Sequence, residues 1–97
     1  MKADYDSQAE ALSIDLVEVD RWDDGDPVDD TYCNVALRRG RPVNVELLDP
    51  ADHLDLLDVV AQRFALDSAA LRATAQAALA APDRVVTVTL DTASATA

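Results

Sequence analysis

The residues with the most chemical potential in this 97-residue chain lie between positions 20 and 41. Asp20, Asp23, Asp24, Asp26, Asp29 and Asp30 crowd around a single Arg21. Carboxylates at that density either form a solvated loop or gather a divalent cation. In calcium-loop spacing, Asp20, Trp22 and Asp24 take the first, third and fifth ligand places ahead of Gly25, and Thr31 falls where the bidentate Glu belongs. Trp22 and Thr31 break that pattern, so a solvated loop is the simpler reading. Trp22 itself either folds back as a lid on the sheet edge or stands out as an anchor for a partner, since aromatics are over-represented at interface hot spots. Arg38, Arg39 and Arg41 cluster around Gly40, as a solvated turn or as an anion patch at a hairpin tip. The candidate partner contacts are therefore Trp22, Asp23, Asp24, Asp26, Arg38, Arg39 and Arg41.

Nothing else assembles a reaction centre. His53 is the only histidine, which rules out a histidine-rich metal site or an acid–base histidine pair within one chain. It reads as a side chain in the first turn of a helix. Cys33 falls on the apolar face of a predicted strand and reads as a small core residue. Ser7, Ser13, Ser68 and Ser94 lie in no strand-turn-helix elbow, and Gly25 and Gly40 are too far apart for a phosphate-cradling loop. The expectation is a protein that is not an enzyme and uses neither metal nor cofactor.

The net charge is −11 and uneven: residues 1–30 hold eleven acids against Lys2 and Arg21, while residues 31–97 hold eight acids against six arginines. That field repels phosphate backbones and anionic lipid, so neither nucleic acid nor a membrane is an expected partner. Leu, Ile, Val and Phe supply 25 residues, enough for one core, and 18 alanines make that core aliphatic and thin. A chain of this size buries roughly two thirds of its extended surface, which limits it to one domain. The single Cys excludes an internal disulfide and fits a reducing compartment. With no signal-like or membrane-length apolar run, the expected location is cytoplasmic.

The elements that must position these residues follow from periodicity. Leu12, Ile14 and Leu16 alternate with Ser13 and Asp15, predicting a half-buried strand over 11–19, preceded by a short edge strand at 2–5 and the turn Asp6-Ser7-Gln8. Asp24-Gly25 and Asp26-Pro27 predict turns that reverse the chain. Alternation resumes over 32–38 with Cys33, Val35 and Leu37, and again beyond the Arg turn with Val43, Val45 and Leu47. The strands 11–19, 32–38 and 43–47 form an antiparallel meander with one apolar face. At Asp49, an N-cap followed by Pro50, a helix begins whose stripe of Leu54, Leu57, Ala61 and Phe64 covers the meander. Asp67 caps a second helix over 68–80, with Leu66 and Leu71 as a hydrophobic staple. Being Ala-rich, this helix has little with which to grip and is expected to be the weakest element. A late strand over 84–90 is expected beside the third meander strand, and residues 93–97 fray. The fold class is α+β: an antiparallel β-meander of about four strands, covered on one face by a C-terminal helical hairpin and followed by a late strand, in one domain over 1–92.

Tyr5-Asp6, Ala9, Ala11-Leu12, Ile14 and Leu16, then Val28-Asp29-Asp30, then Gly40 and Val43 to Leu48 resemble the bacterial and archaeal domain-of-unknown-function family 2283. The resemblance covers residues 3–51. Asn44 replaces a Gly of the family pattern, and Val35-Ala36-Leu37 stands where acidic and aromatic residues are common. The resemblance implies a small β-meander and assigns no catalytic residue. The expected function is a small non-enzymatic interaction protein, an acidic partner of a basic protein; the alternative is small-ligand or divalent-metal binding by the acidic loop 20–30. A homodimer is also expected. The acid loop and the Arg turn are placed at opposite ends of the strand 32–38, about 23 Å apart at about 3.3 Å per residue, where they pair only between two chains.

Overall fold

Strict alternation in the central strands sorts their side chains onto two faces. The computed structural model describes residues 1–89. It contains β1 (Lys2–Asp6), β2 (Ala11–Asp15), β3 (Asp24–Asp29), β4 (Cys33–Arg38), β5 (Arg41–Leu48), α1 (Asp55–Phe64), α2 (Ser68–Ala80) and β6 (Val85–Thr87). The strands form one open sheet in the order β3-β4-β5-β2-β1-β6, with every neighbouring pair antiparallel. The fold class is α+β, as the alternation of periods implies.

One face buries Leu12 and Ile14 of β2, Cys33 and Val35 of β4, and Val45 and Leu47 of β5 against Leu57, Val60 and Ala61 of α1 and Leu71, Ala75 and Ala78 of α2. The other face is polar. Asp4, Ser13, Glu46 and Asn34 succeed one another across β1, β2, β5 and β4, and the Asn44 amide donates to Ser13 Oγ and Asp15 Oδ1 at 2.8 Å each. The Asp67 carboxylate accepts from Ala70 N at 3.1 Å, so α2 starts at the cap its sequence specifies. The helix does grip the sheet. Ala70, Leu71, Thr74, Ala75 and Ala78 are all buried, against only Leu57, Val60 and Ala61 in α1. The alanine stripe seats the helix on the sheet without large side chains, contrary to the expectation that it has little with which to grip. Buried Thr74 is satisfied by donating its hydroxyl to Ala70 O at 2.8 Å.

Six strands replace the expected five, about four in the meander and one late strand, and the extra one is the acidic segment. Residues 24–29 are an edge strand, with Asp24 opposite Leu37, Gly25 opposite Ala36 and Asp26 opposite Val35. Pro27 falls in a register shift between Asp26 and Asp29, the place an edge strand tolerates a missing N–H. Charge and proline at an edge discourage pairing with another chain, so a composition that reads as loop is here a protected edge. The Asp-Gly and Asp-Pro dipeptides accordingly lie inside β3, and the chain reverses at residues 30–32 instead.

This insertion also changes the pairing order. β2 pairs with β5, not with β4, because β3, β4 and β5 make the consecutive meander and the β1–β2 hairpin joins its free side. The late strand pairs with β1, through Lys2 opposite Thr87 and Ala3 opposite Val86, and not with the third meander strand. It thereby takes the edge position expected of residues 2–5. The predicted strand 11–19 stops at Asp15. The first helix starts later than Asp49: Pro50–Asp52 is a single 3-10 turn, Asp49 is left-handed at φ 44 with no side-chain cap, and α1 begins at Asp55. Leu90 and the 93–97 tail lie outside the described residues.

Candidate functional site

The strand order forces a crossing. β2 and β3 are separated by β5 and β4, three spacings or roughly 14 Å at about 4.8 Å each, so residues 16–23 must traverse one end of the sheet. They are tied down at both margins: Leu16 N donates to Val43 O at 2.9 Å, and Asp23 N donates to Leu37 O at 3.0 Å. The path passes the tip of the β4–β5 hairpin, where Arg39 at φ 52 and Gly40 at φ 77 form a two-residue turn. Positive φ at both positions matches the strand twist, but only glycine adopts it without steric cost. Both carboxylate oxygens of Asp23 lie 3.3 Å from Arg39 N and accept from it, holding this strained residue in place.

The start of the acidic segment and the Arg turn are thus neighbours within one chain. This corrects the expectation that about 23 Å separates them. Once 24–29 runs antiparallel to β4, its first residues must lie beside the last residues of β4.

Two clefts flank the crossing segment and share Val17, Val19 and Val43 as walls. One, of about 440 Å³, is completed by Asp15, Glu18, Asp20, Trp22 and Asn44; the other, of about 540 Å³, by Arg38, Arg39, Arg41 and Pro42. A smaller depression next to them brings Arg21, Trp22 and Asp23 against Arg38 and Arg39. Trp22 is 56% exposed and Val17 52%, so neither is spent on the core, and Trp22 does not seal the sheet edge as a lid. Among the described residues the ion pairs are Lys2–Glu18, Arg63–Asp26 and Arg72–Asp58, leaving Arg21, Arg38, Arg39, Arg41 and Arg84 without one. Lys2 holds the Glu18 carboxyl below the usual glutamate range, keeping it ionised at the cleft.

The opposite end of β3 and β4 is closed. Asp29 Oδ1 accepts from Thr31 N at 2.9 Å and Tyr32 N at 2.8 Å, and these backbone bonds, that from Tyr32 first, hold its carboxyl below the usual aspartate range. The Tyr32 ring stacks on His53, centroids 3.9 Å apart and planes 19° from parallel. His53 Nδ1–H donates to Asp49 O at 2.9 Å, so the histidine pins a corner between the 3-10 turn and α1; it is not the first-turn helical residue expected. Arg63 of α1 reaches Asp26 at 2.8 Å. Cys33 is buried, and that burial pushes its thiol up to about 11, which leaves it protonated at neutral pH.

Of the candidate contacts, the structure gathers Trp22, Asp23, Arg38, Arg39 and Arg41 at one end of the sheet. Asp24 and Asp26 fall away from it along β3: the first accepts from Gly25 N at 2.8 Å, the second is held by Arg63. The sequence reading missed Val17, Val19, Asp15, Glu18 and Pro42. The signal for the valines is the break in alternation at Leu16-Val17, which sets Val17 and Val19 out of phase with the core-facing Leu12, Ile14 and Leu16. Among the described residues no group of three or more His, Cys, Asp or Glu side chains is placed to hold a metal ion, and no helix is long and apolar enough to cross a membrane. No family model, curated protein or solved structure matches the chain.

Proposed function

We propose that this chain is a small non-enzymatic interaction protein of the cytoplasm that receives cationic side chains of a basic partner in the acidic cleft beside Trp22. The observation that carries this reading is the exposed indole at the rim of a cleft bearing Asp20, which has no ion pair among the described residues, beside Asp15 and Glu18, which Asn44 and Lys2 hold in place. An aromatic face attracts an ammonium or guanidinium through its quadrupole, and carboxylates around it add charge-assisted hydrogen bonds. The surplus of acids in residues 1–30 steers such a partner from a distance. The alternative of metal binding by residues 20–30 draws no support from the geometry, since among the described residues no group of three or more His, Cys, Asp or Glu side chains is placed to hold an ion.

Trp22 is the only tryptophan, so its fluorescence reports on the cleft directly. Titration with a lysine-rich peptide is expected to shift its emission saturably, with the response weakened by salt and lost in a Glu18→Gln, Asp20→Asn double variant. An emission unchanged by the peptide at low salt would sink the reading.

A further inference from the structure

We propose that the surface carrying residues 17–20 is the face on which two copies of this chain meet, each presenting its Arg turn to the acidic cleft of the other. Exposed Val17 and half-buried Val19 form an apolar ridge between the two clefts, with Asp15, Glu18 and Asp20 on one flank and Arg38, Arg39 and Arg41 on the other. An apolar strip bordered by opposite charges is complementary to itself. Two kinds of two-fold axis can bring such strips face to face. An axis across the ridge sets acid on acid and arginine on arginine. An axis parallel to the ridge sets each acidic flank against the partner copy's arginines, and makes that contact twice. Charge selects the second arrangement, while the apolar strip supplies the affinity.

A further observation points the same way. Although the chain has 19 acids, the three arginines of the turn find none within ion-pairing distance among the described residues, and Asp23 is aimed at the Arg39 backbone instead of a guanidinium. The guanidinium groups are left for something outside the chain. The repulsion between two chains of net charge −11 is spread over their surfaces and is screened beyond a Debye length of about 8 Å, whereas the cross-pairs lie in contact. The inference rests on the reading of the acidic cleft as a receiver of cationic side chains, and it makes the second copy and a basic partner competitors for one site.

Charge reversal with complementation tests it. One variant carries Glu18→Arg and Asp20→Arg, the other Arg38→Glu and Arg41→Glu, and both are run in sedimentation at low salt, alone and mixed in equal amounts. The wild type is expected to dimerise, each variant alone to do so at least about tenfold more weakly, and the mixture to recover the wild-type affinity, because every contact in the mixed dimer again joins opposite charges. A wild type that stays monomeric at millimolar concentration overturns the proposal. So does a variant that dimerises as the wild type does, or a mixture that fails to recover. Neutral Arg38→Gln, Arg41→Gln replaces the acidic variant should that one not fold, with weakened dimerisation again expected and unchanged dimerisation again overturning. The Arg38→Glu, Arg41→Glu protein keeps its acidic cleft, so its Trp22 response to the lysine-rich peptide judges the basic-partner reading separately.

Discussion

The two ends of the β3–β4–β5 meander are built from similar residue types and come out differently. At the turn between β3 and β4, Asp29 is matched to two backbone N–H groups, Tyr32 to His53 and His53 to Asp49 O, with Arg63 on Asp26 further along β3. At the other end Glu18 is paired with Lys2 and Asp15 with Asn44, but the crossing segment and the Arg turn leave Trp22 and Val17 more than half exposed and Arg21, Arg38, Arg39 and Arg41 without ion pairs among the described residues. Charge density does not distinguish the ends, since both carry carboxylates and guanidinium groups. Satisfaction of those groups within the chain does. A polar group whose hydrogen bonds are complete has little to offer a partner, so function is sought where matching is incomplete.

The largest effect that could break this contrast is on stability. Leu57 is fully buried where α1 covers the sheet, and Leu57→Ala is expected to cost about 2–5 kcal/mol in urea denaturation. Val17→Ala, at the open end, is expected to change stability by less than about 0.5 kcal/mol. Comparable losses at both positions would mean that the ridge belongs to the core and is not a free surface.

The second test uses pH at the closed end. Cys33 titrates from an ordinary 9.0 to about 11 because it is desolvated. Between those values the unfolded chain has lost its thiol proton while the folded chain retains it, so stability falls as pH rises, by about 3 kcal/mol over the interval at about 1.4 kcal/mol per unit. Below pH 9 the thiol makes no such contribution. Urea midpoints measured across this range should therefore fall more steeply in the wild type than in Cys33→Ala. Equal slopes would show that the closed end admits water to Cys33.

How much of this was legible in the sequence depended on whether one force or several set each residue's place. Leu12, Ile14, Val35, Val45 and Leu47 answer to burial alone, and their alternation placed them on the apolar face correctly. Asp67 and Ser68–Ala80 answer to a local cap and a local period, and the observed helix has the expected bounds. The acidic segment answers to two competing demands. Its composition favours water, yet the open side of β4 needs a partner for its backbone, and the ladder prevails while the charges face outward as edge protection. Local propensity carries no trace of that need. Once β3 was missed, the crossing of residues 16–23 was invisible too, because the crossing follows from strand order and not from any residue in it. The candidate arginines were therefore identified, but the neighbours that give them a role were not.

The smallest effect sharpens the contrast most, because it separates stability from function at one residue. Arg39 occupies the left-handed region at φ 52, where a side chain of its kind costs about 1 kcal/mol relative to asparagine or glycine. Arg39→Asn keeps the N–H that donates to Asp23 and relieves the backbone, so it should raise stability by about 0.5–1 kcal/mol in urea. Ala65, at φ 56 just beyond α1, offers the same relief without a charge, and Ala65→Gly should stabilise by a similar amount. The two substitutions are expected to part company in sedimentation: Arg39→Asn weakens self-association while Ala65→Gly leaves it unchanged. An Arg39→Asn protein that is both more stable and equally dimeric would show that the guanidinium does nothing at the tip. Weakening without stabilisation would show instead that the turn holds no strain, and that the arginine is tolerated there on structural grounds alone.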